Sequence, residues 1–366
     1  MCVKDAPFVR FRLLGVIGLF LLFPAISHGQ ATIKVNDNIS LRFGTLIQAW
    51  ADSAQDPATK SYANNLFLRR MRFLVSGTLS PTVSFFFQTD NPNLGKAPKA
   101  LGSGFITQDA YIEWKPQSQA FMIDAGLMLP PLCRDCLGSA AGLLSMDYNS
   151  WSFIAGPPTQ SSVGRDTGVL AHGYLAGGHF EYRAGALQGV RLTGSKNAFR
   201  YIGRGQYNVW DTEVGPYVYP ESYLGNKKIL AIGAAIDHQQ NYKAYTADAQ
   251  LSLPIGVKKN AFNSILTLYH YDGGTTFPTA LPKQTDVVLQ AGYYDASLKI
   301  QPFARLERQD FSASANKSRN NNRLQLGVGW YPNGNNFNIK AAATRISPKA
   351  GNKTNQATIQ MQFFYY

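Results

Sequence analysis

The sequence predicts an all-β chain, a transmembrane antiparallel β-barrel of sixteen strands. Three observations predict it. Segments of about ten residues, apolar at alternate positions, recur from residue 38 to the last residue. The links between them alternate between short and long. An export leader opens the chain, and no later apolar run is long enough for a helical span.

The leader comes first. Lys4, Arg10 and Arg12 precede the apolar run from Leu13 to Phe23, and the small residues of PAISHGQA follow. A basic start, an apolar centre and Ser27 and Gly29 ahead of the cut describe a cleaved signal peptide over residues 1–29, with Ala31 as the alternative cut. The apolar run falls well short of the roughly 20 residues of a spanning helix, so it does not read as an anchor. Cleavage leaves residues 30–366 as one barrel domain and lowers the formal charge from +13 to about +11. With 33 glycines, 19 tyrosines and 22 phenylalanines, the composition suits turns and strands better than helices.

The segments follow in order. The first eight lie near 38–52, 64–79, 83–90, 105–115, 120–129, 164–175, 179–187 and 198–210. The second eight lie near 227–238, 243–253, 262–273, 286–296, 300–311, 322–332, 337–347 and 355–366. An even count returns both termini to one side, as a single-chain barrel requires. In FLRRMRFLVSGTL, Met71, Phe73, Val75 and Leu79 oppose Arg70, Arg72, Ser76 and Thr78; Arg69 is out of phase and is expected at a rim. The last strand sets Ala357, Ile359, Met361, Phe363 and Tyr365 towards lipid against Thr358, Gln360 and Gln362, with Tyr366 one residue out of phase. Short turns at 80–82, 116–119, 176–178 and 333–336 alternate with longer links at 91–104, 130–163, 274–285 and 312–321. The link 211–226 is long where a short turn belongs, which makes the register weakest there.

Cys2 leaves with the leader, and Cys133 and Cys136 remain in PPLCRDCLG. A CxxC pair serves redox chemistry, half a zinc site, haem attachment or a local disulfide. No His follows Cys136 and no second CxxC exists, so in an exported chain a disulfide bracing the loop is the expected state.

Alternation turns Arg42, Arg70, Arg72, Lys115, Arg183, Arg200, Arg204, Arg305, Arg323 and Lys340 into the lumen. Asp109, Glu113, Asp124, Glu181, Asp248 and Glu307 oppose them. The cationic excess suits passage of anions, because a narrow lumen strengthens the field of Arg and Lys. The competing reading is that these charges pair across neighbouring strands and only hydrate the lumen. Enzymatic patterns are absent: the histidines left after processing have no zinc-ligand spacing, and Asp166 with His172 reads as solvated lumen. No basic stripe points to nucleic acid, and nothing calls for a cofactor.

Several stretches together resemble the family of phosphate-selective porins O and P. They are FLRRMRFLVSGTL (67–79), QDAYIEWKP (108–116), FMIDAGLMLPP (121–131), GRDTGVLAHG (164–173), FEYRAGALQG (180–189), KKILAIGAAIDHQQ (227–240) and PFARLERQDFS (302–312). The resemblance implies a bacterial outer-membrane porin, commonly a homotrimer, embedded in outer-membrane lipid. It implies passive diffusion of small inorganic or organic anions, phosphate or polyphosphate among them, past basic lumen residues. It also implies that the third outer loop, 130–163 here, folds inward as a constriction. That loop carries one basic residue, Arg134, where phosphate-specific members carry a dense basic filter. The alternative is a general channel, or one for neutral sugars or hydrophobic compounds with Phe86, Tyr111 and Trp210 as an aromatic slide. A plugged structural or adhesive barrel is the third reading.

Overall fold

The computed structural model describes residues 31–99, 101–102, 104–161, 164–190, 198–215, 217–257 and 259–366; the leader lies outside them. Sixteen antiparallel strands close on themselves. They are β2 (Ser40–Gln55), β3 (Tyr62–Ser80), β4 (Val83–Asp90), β5 (Ile106–Trp114), β6 (Met122–Met128), β7 (Asp166–Leu175), β8 (Phe180–Leu187) and β9 (Arg200–Asn208). The other half holds β10 (Ile229–Gln239), β11 (Tyr242–Ile255), β12 (Asn260–Asp272), β13 (Gln284–Tyr294), β14 (Ile300–Phe311), β15 (Asn321–Asn333), β16 (Phe337–Pro348) and β17 (Thr354–Tyr365). Closure is made by β17 on β2, where Gln362 faces Gln48. A short strand β1 (Ala31–Lys34) pairs with Ser40–Phe43 of β2, the stretch that β17 leaves uncovered. No β2 edge is thereby left open at the seam.

Alternation along each strand produces two unlike faces. On β14, Leu306 points out and is 53% exposed, whereas Gln301, Arg305 and Glu307 point in and are buried. On β10, Ile232 and Ile236 point out while Asp237 and Gln239 are buried inside. An apolar exterior around a polar interior is the reverse of a soluble sandwich, and lipid is the solvent that suits it. No helix among the described residues is long and apolar enough to cross a membrane.

Two connections enter the lumen. The first, 129–165, opens on Leu129, Pro130 and Pro131, and the two prolines lack the N–H groups that would continue β6. Most of it is buried, including Leu132, Leu137, Leu144 and Met146. Its Cys133 and Cys136 are joined by a disulfide. The second is the long link between β9 and β10, at the end of the barrel that carries the termini. The weak register at 211–226 therefore has a physical cause, an inserted segment rather than a slipped strand. Tyr219 pairs with Gly138 in a parallel bridge, and Glu221 N donates to Gly142 O at 2.9 Å. One element enters from each end, and the two meet in the middle.

Two other expectations change. A bulge between β2 and β3 pairs Gln48 with Arg70 but Ala49 with Leu68, so Arg69 is the extra residue. It turns inward to Asp147, with Nε 2.8 Å from Oδ2, and does not lie at a rim. Tyr366 also turns inward and sits 6.5 Å from Phe364, ring to ring, over Gly44. A Cβ at Gly44 would stand 2.5 Å from the Tyr366 ring, so only glycine leaves the terminal aromatic its place.

Candidate pore constriction

The inward loop spans the lumen from the β11–β12 wall to the β16–β17–β2 seam. At the first wall, Arg134 is buried; its Nη2 lies 2.6 Å from Glu213 of the second inward segment, and it also bonds Gln250. Thr267 donates to Asp135 at 2.7 Å, and Tyr271 donates to Trp151 O at 2.9 Å. At the seam, Gln48 donates to Ala140 O at 3.0 Å and Gln362 to Ala141 O at 2.9 Å. Lys340 donates to Leu143 O and to Ser145 O, the latter at 3.0 Å. Buried carbonyls without a sheet partner thus find side chains of the wall, as buried backbone groups must.

Two cavities flank this loop. The larger, about 750 Å³, lies along β2–β5 near the termini; the smaller, about 200 Å³, lies along β14–β17. Tyr148 lines both. Arg42, Arg72 and Lys115 line the larger one, together with Asp109 and Glu113. Arg305 and Arg323 line the smaller, with Asp147 and Glu307. Arg70, Arg183, Arg200, Arg204 and Lys340 are also on the inner face, but buried.

Most of these cations are paired. Arg70 reaches Asp147 at 2.5 Å, Arg72 reaches Asp90 at 2.9 Å, and Arg305 reaches Glu307 at 2.8 Å. Arg70 and Arg72 therefore do not pair with Asp109 or Glu113. Asp109 instead meets Arg165 at 3.2 Å, and Glu113 meets His172 at 3.6 Å. Arg183 pairs with Glu181 at 2.6 Å and donates to Tyr219 at 2.7 Å. Arg200 makes a two-point contact with Asp237 at 2.9 and 2.7 Å, and Arg204 another with Asp248 at 2.6 and 2.7 Å. Gly233 makes room for the Arg204 pair, since a Cβ there would fall 2.3 Å from the guanidinium. Asp166 bonds Arg200 at 3.3 Å and is not beside His172.

Four of the predicted cations differ, and of these Lys340 is held by the loop carbonyls of Leu143 and Ser145. Among the described residues, no carboxylate comes within ion-pair distance of Arg42, Lys115 or Arg323. The Arg42 guanidinium lies 4.2 Å from the Tyr366 ring, and that of Arg323 lies 5.7 Å from Trp151. Phe86, Tyr111, Tyr217 and Tyr366 form an aromatic chain beside Arg42, with ring centres 5.1–6.1 Å apart. Trp210 is not in it; it lies near Lys228, 4.5 Å away.

Strand alternation could not reveal Asp147 or Glu213, which sit on the inward segments, nor Arg69, which the bulge displaces. Asp237 was within reach, because it shares a face with Ala231 and Ala235 opposite Ile232 and Ile236.

A closed barrel with an inward loop and a charged inner wall is an outer-membrane channel of the porin class. The chain belongs to the family of phosphate-selective porins O and P, whose profile matches residues 31–249. No curated protein sequence matches it. Among solved structures it is similar to an anion-selective porin from Comamonas acidovorans, at 12% identity and a TM-score of 0.64, over 89% of this chain and 100% of that one. It is also similar to Salmonella typhi OmpF in complex with daunomycin, at 10% identity and 0.58, over 91% and 100%. A third is OmpT of Vibrio cholerae in its trimer form, at 11% identity and 0.52, over 90% and 100%. At such identities the likeness establishes the fold.

Proposed function

We propose that this chain is a passive channel for small anions, and that it favours organic anions with an apolar body as well as inorganic ones. The observation that carries the reading is Arg42, unpaired and set beside the aromatic chain of Phe86, Tyr111, Tyr217 and Tyr366 in the larger cavity. A cation next to aromatic faces holds a carboxylate and its hydrocarbon part together. Lys115 in the same cavity and Arg323 in the smaller one extend the attraction across the loop. Phosphate passes as one anion among several. A dedicated phosphate filter on the loop has little support, because Arg134 is buried and held by Glu213. The pore transports and does not catalyse. Residues 1–29 are removed on export, and the mature chain assembles as a homotrimer, a state that the trimeric Vibrio neighbour supports.

Competition in planar bilayers tests the reading. Benzoate and phosphate are each added to a chloride current through the purified protein. Benzoate should reduce the current at lower concentration than phosphate does. A much stronger block by phosphate would return the pore to a phosphate-dedicated role.

A further inference from the structure

Three side chains converge on the β5–β7 wall in a way that anion passage does not require. Glu113 and Asp124 face each other directly in the β5–β6 ladder. His172 comes from β7, two residues along from Leu170, which faces Asp124. His172 Nε2 is 3.2 Å from Asp124 Oδ2 and 3.6 Å from Glu113 Oε2. One donor atom from each of the three lies within 4.8 Å of the others. His172 and Asp124 are 6% and 1% exposed, whereas Glu113 opens onto the larger cavity.

The hydrogen bonding there is incomplete. Among the described residues, His172 Nε2 and Asp124 Oδ1 are buried and have no hydrogen-bond partner. An imidazolium paired with these carboxylates would aim its N–H at one of them, and this geometry does not. Ligands held about 2.0–2.2 Å from a tetrahedral ion stand roughly 3.3–3.6 Å from one another. The separations of 3.2 and 3.6 Å around His172 match that spacing closely. Ser84 donates to Glu113 Oε1 at 3.1 Å, which leaves Oε2 for the ion and orients the carboxylate.

We propose that Glu113, Asp124 and His172 bind a divalent first-row transition ion, Zn²⁺ foremost, in the channel wall. The imidazole nitrogen favours such an ion over Ca²⁺ or Mg²⁺, which take oxygen ligands. Three protein ligands leave a fourth position, on the side where Glu113 meets the cavity. Water or a permeating anion fills it. Binding cancels the two carboxylate charges with the dication, so the wall beside Arg42 and Lys115 becomes more attractive to anions.

The test uses the intact protein in detergent, stripped with chelator and titrated with ZnCl₂ by calorimetry. One Zn²⁺ per chain should bind saturably. His172→Gln and Asp124→Asn, shown to be folded by their heat-modifiable mobility, should each weaken binding at least tenfold, and His179→Gln should not. In bilayers, Zn²⁺ should raise the anion preference of the wild type and leave that of His172→Gln unchanged. If the variants do not fold, Co²⁺ added to the wild type decides: saturable visible absorption at one ion per chain supports the site. No saturable uptake of either metal, or full uptake by folded His172→Gln, would overturn it. Neither result depends on which anions the pore prefers.

Discussion

Arg70 of the barrel wall and Asp147 of the inward loop form an ion pair whose nearest atoms, Nη2 and Oδ1, are 2.5 Å apart. Arg69 reaches the other oxygen of the same carboxylate, and the Arg70 guanidinium lies 5.2 Å from the ring of Tyr148, which lines both cavities. The junction between the cavities is thus held by two cations on one anion.

Asp147→Asn should loosen that junction and expose positive charge. Breaking a buried pair costs about 3–5 kcal/mol. The Asp147 side chain is 20% exposed, so about 1–3 kcal/mol is the expected loss here. Thermal unfolding in detergent should shift down, and anion preference should rise. An unchanged melting point together with an unchanged reversal potential would show that the pair holds nothing.

The same carboxylate should not titrate in the working range. Burial alone would raise its pKa, but Arg69 and Arg70 overcome burial and hold it below the ordinary value. A lowered folded pKa gives stability that is present above the unfolded value of about 3.9 and is lost only as pH falls below it. Loop protection measured by limited proteolysis should therefore show no step near pH 4–5 that Asp147→Asn removes.

Asp135 and Glu221 should behave in the opposite sense. Burial, with each group's negative neighbours adding to it, pushes Asp135 up to about 6 and Glu221 to about 8. When the folded pKa is the higher, the folded state holds more protons between the two values, so stability falls as pH rises through that window. The contact between the two inward segments, in which Glu221 accepts from Leu144 N at 2.9 Å, should be tightest at or below about pH 4 and loosen as pH rises towards 8. Hydrogen exchange at Leu144 and Tyr219 can follow it. Glu221→Gln should flatten the dependence, and a profile that tightens with rising pH would contradict the sign.

Cys133 and Cys136 should resist thiol reagents even after reductant is added to the folded protein, since both are buried behind the loop. Labelling should appear only after reduction and unfolding together. Ready labelling of the folded, unreduced protein would mean free thiols.

The strands were legible because a membrane barrel repeats one simple pattern, and β17 shows it in Ile359, Met361 and Phe363 against Thr358, Gln360 and Gln362. What alternation cannot carry is anything that departs from a period of two. The bulge at Arg69 inserts one residue, and the count misplaces its side chain. Asp147 and Glu213 belong to segments with no period at all, so the pairing of Asp147 with Arg69 and Arg70 of the wall, and of Glu213 with Arg134 of the loop, follows only from the path of the chain in three dimensions. The Glu113, Asp124 and His172 cluster spans three strands with no local spacing to mark it. The cations read from the strands are mostly paired, Arg70 with the loop and Arg72, Arg183, Arg200, Arg204 and Arg305 with carboxylates of the strands themselves. Arg42, Lys115 and Arg323 remain.

Residual attraction should also come from the rims, where Lys60, Lys99, Lys349 and Lys353 stand among the outer links and Lys259 and Lys299 at the turn end. Exposed charges are screened over about 10 Å at 0.1 M salt and about 3 Å at 1 M. Anion preference should therefore decline between 0.1 and 1 M KCl but not vanish, because Arg42 and Arg323 act at close range inside. Complete loss at 1 M would assign selectivity to the rims alone.

The most direct test of the channel reading is the zero-current potential across a planar bilayer in a tenfold KCl gradient, for the wild type and for Arg42→Gln/Arg323→Gln. The sign for the wild type should be that of an anion-preferring pore. The double variant, whose cations have no carboxylate partner to strand, should stay folded and move measurably towards zero. A cation-preferring wild type, or a folded double variant with an unchanged potential, would contradict the account.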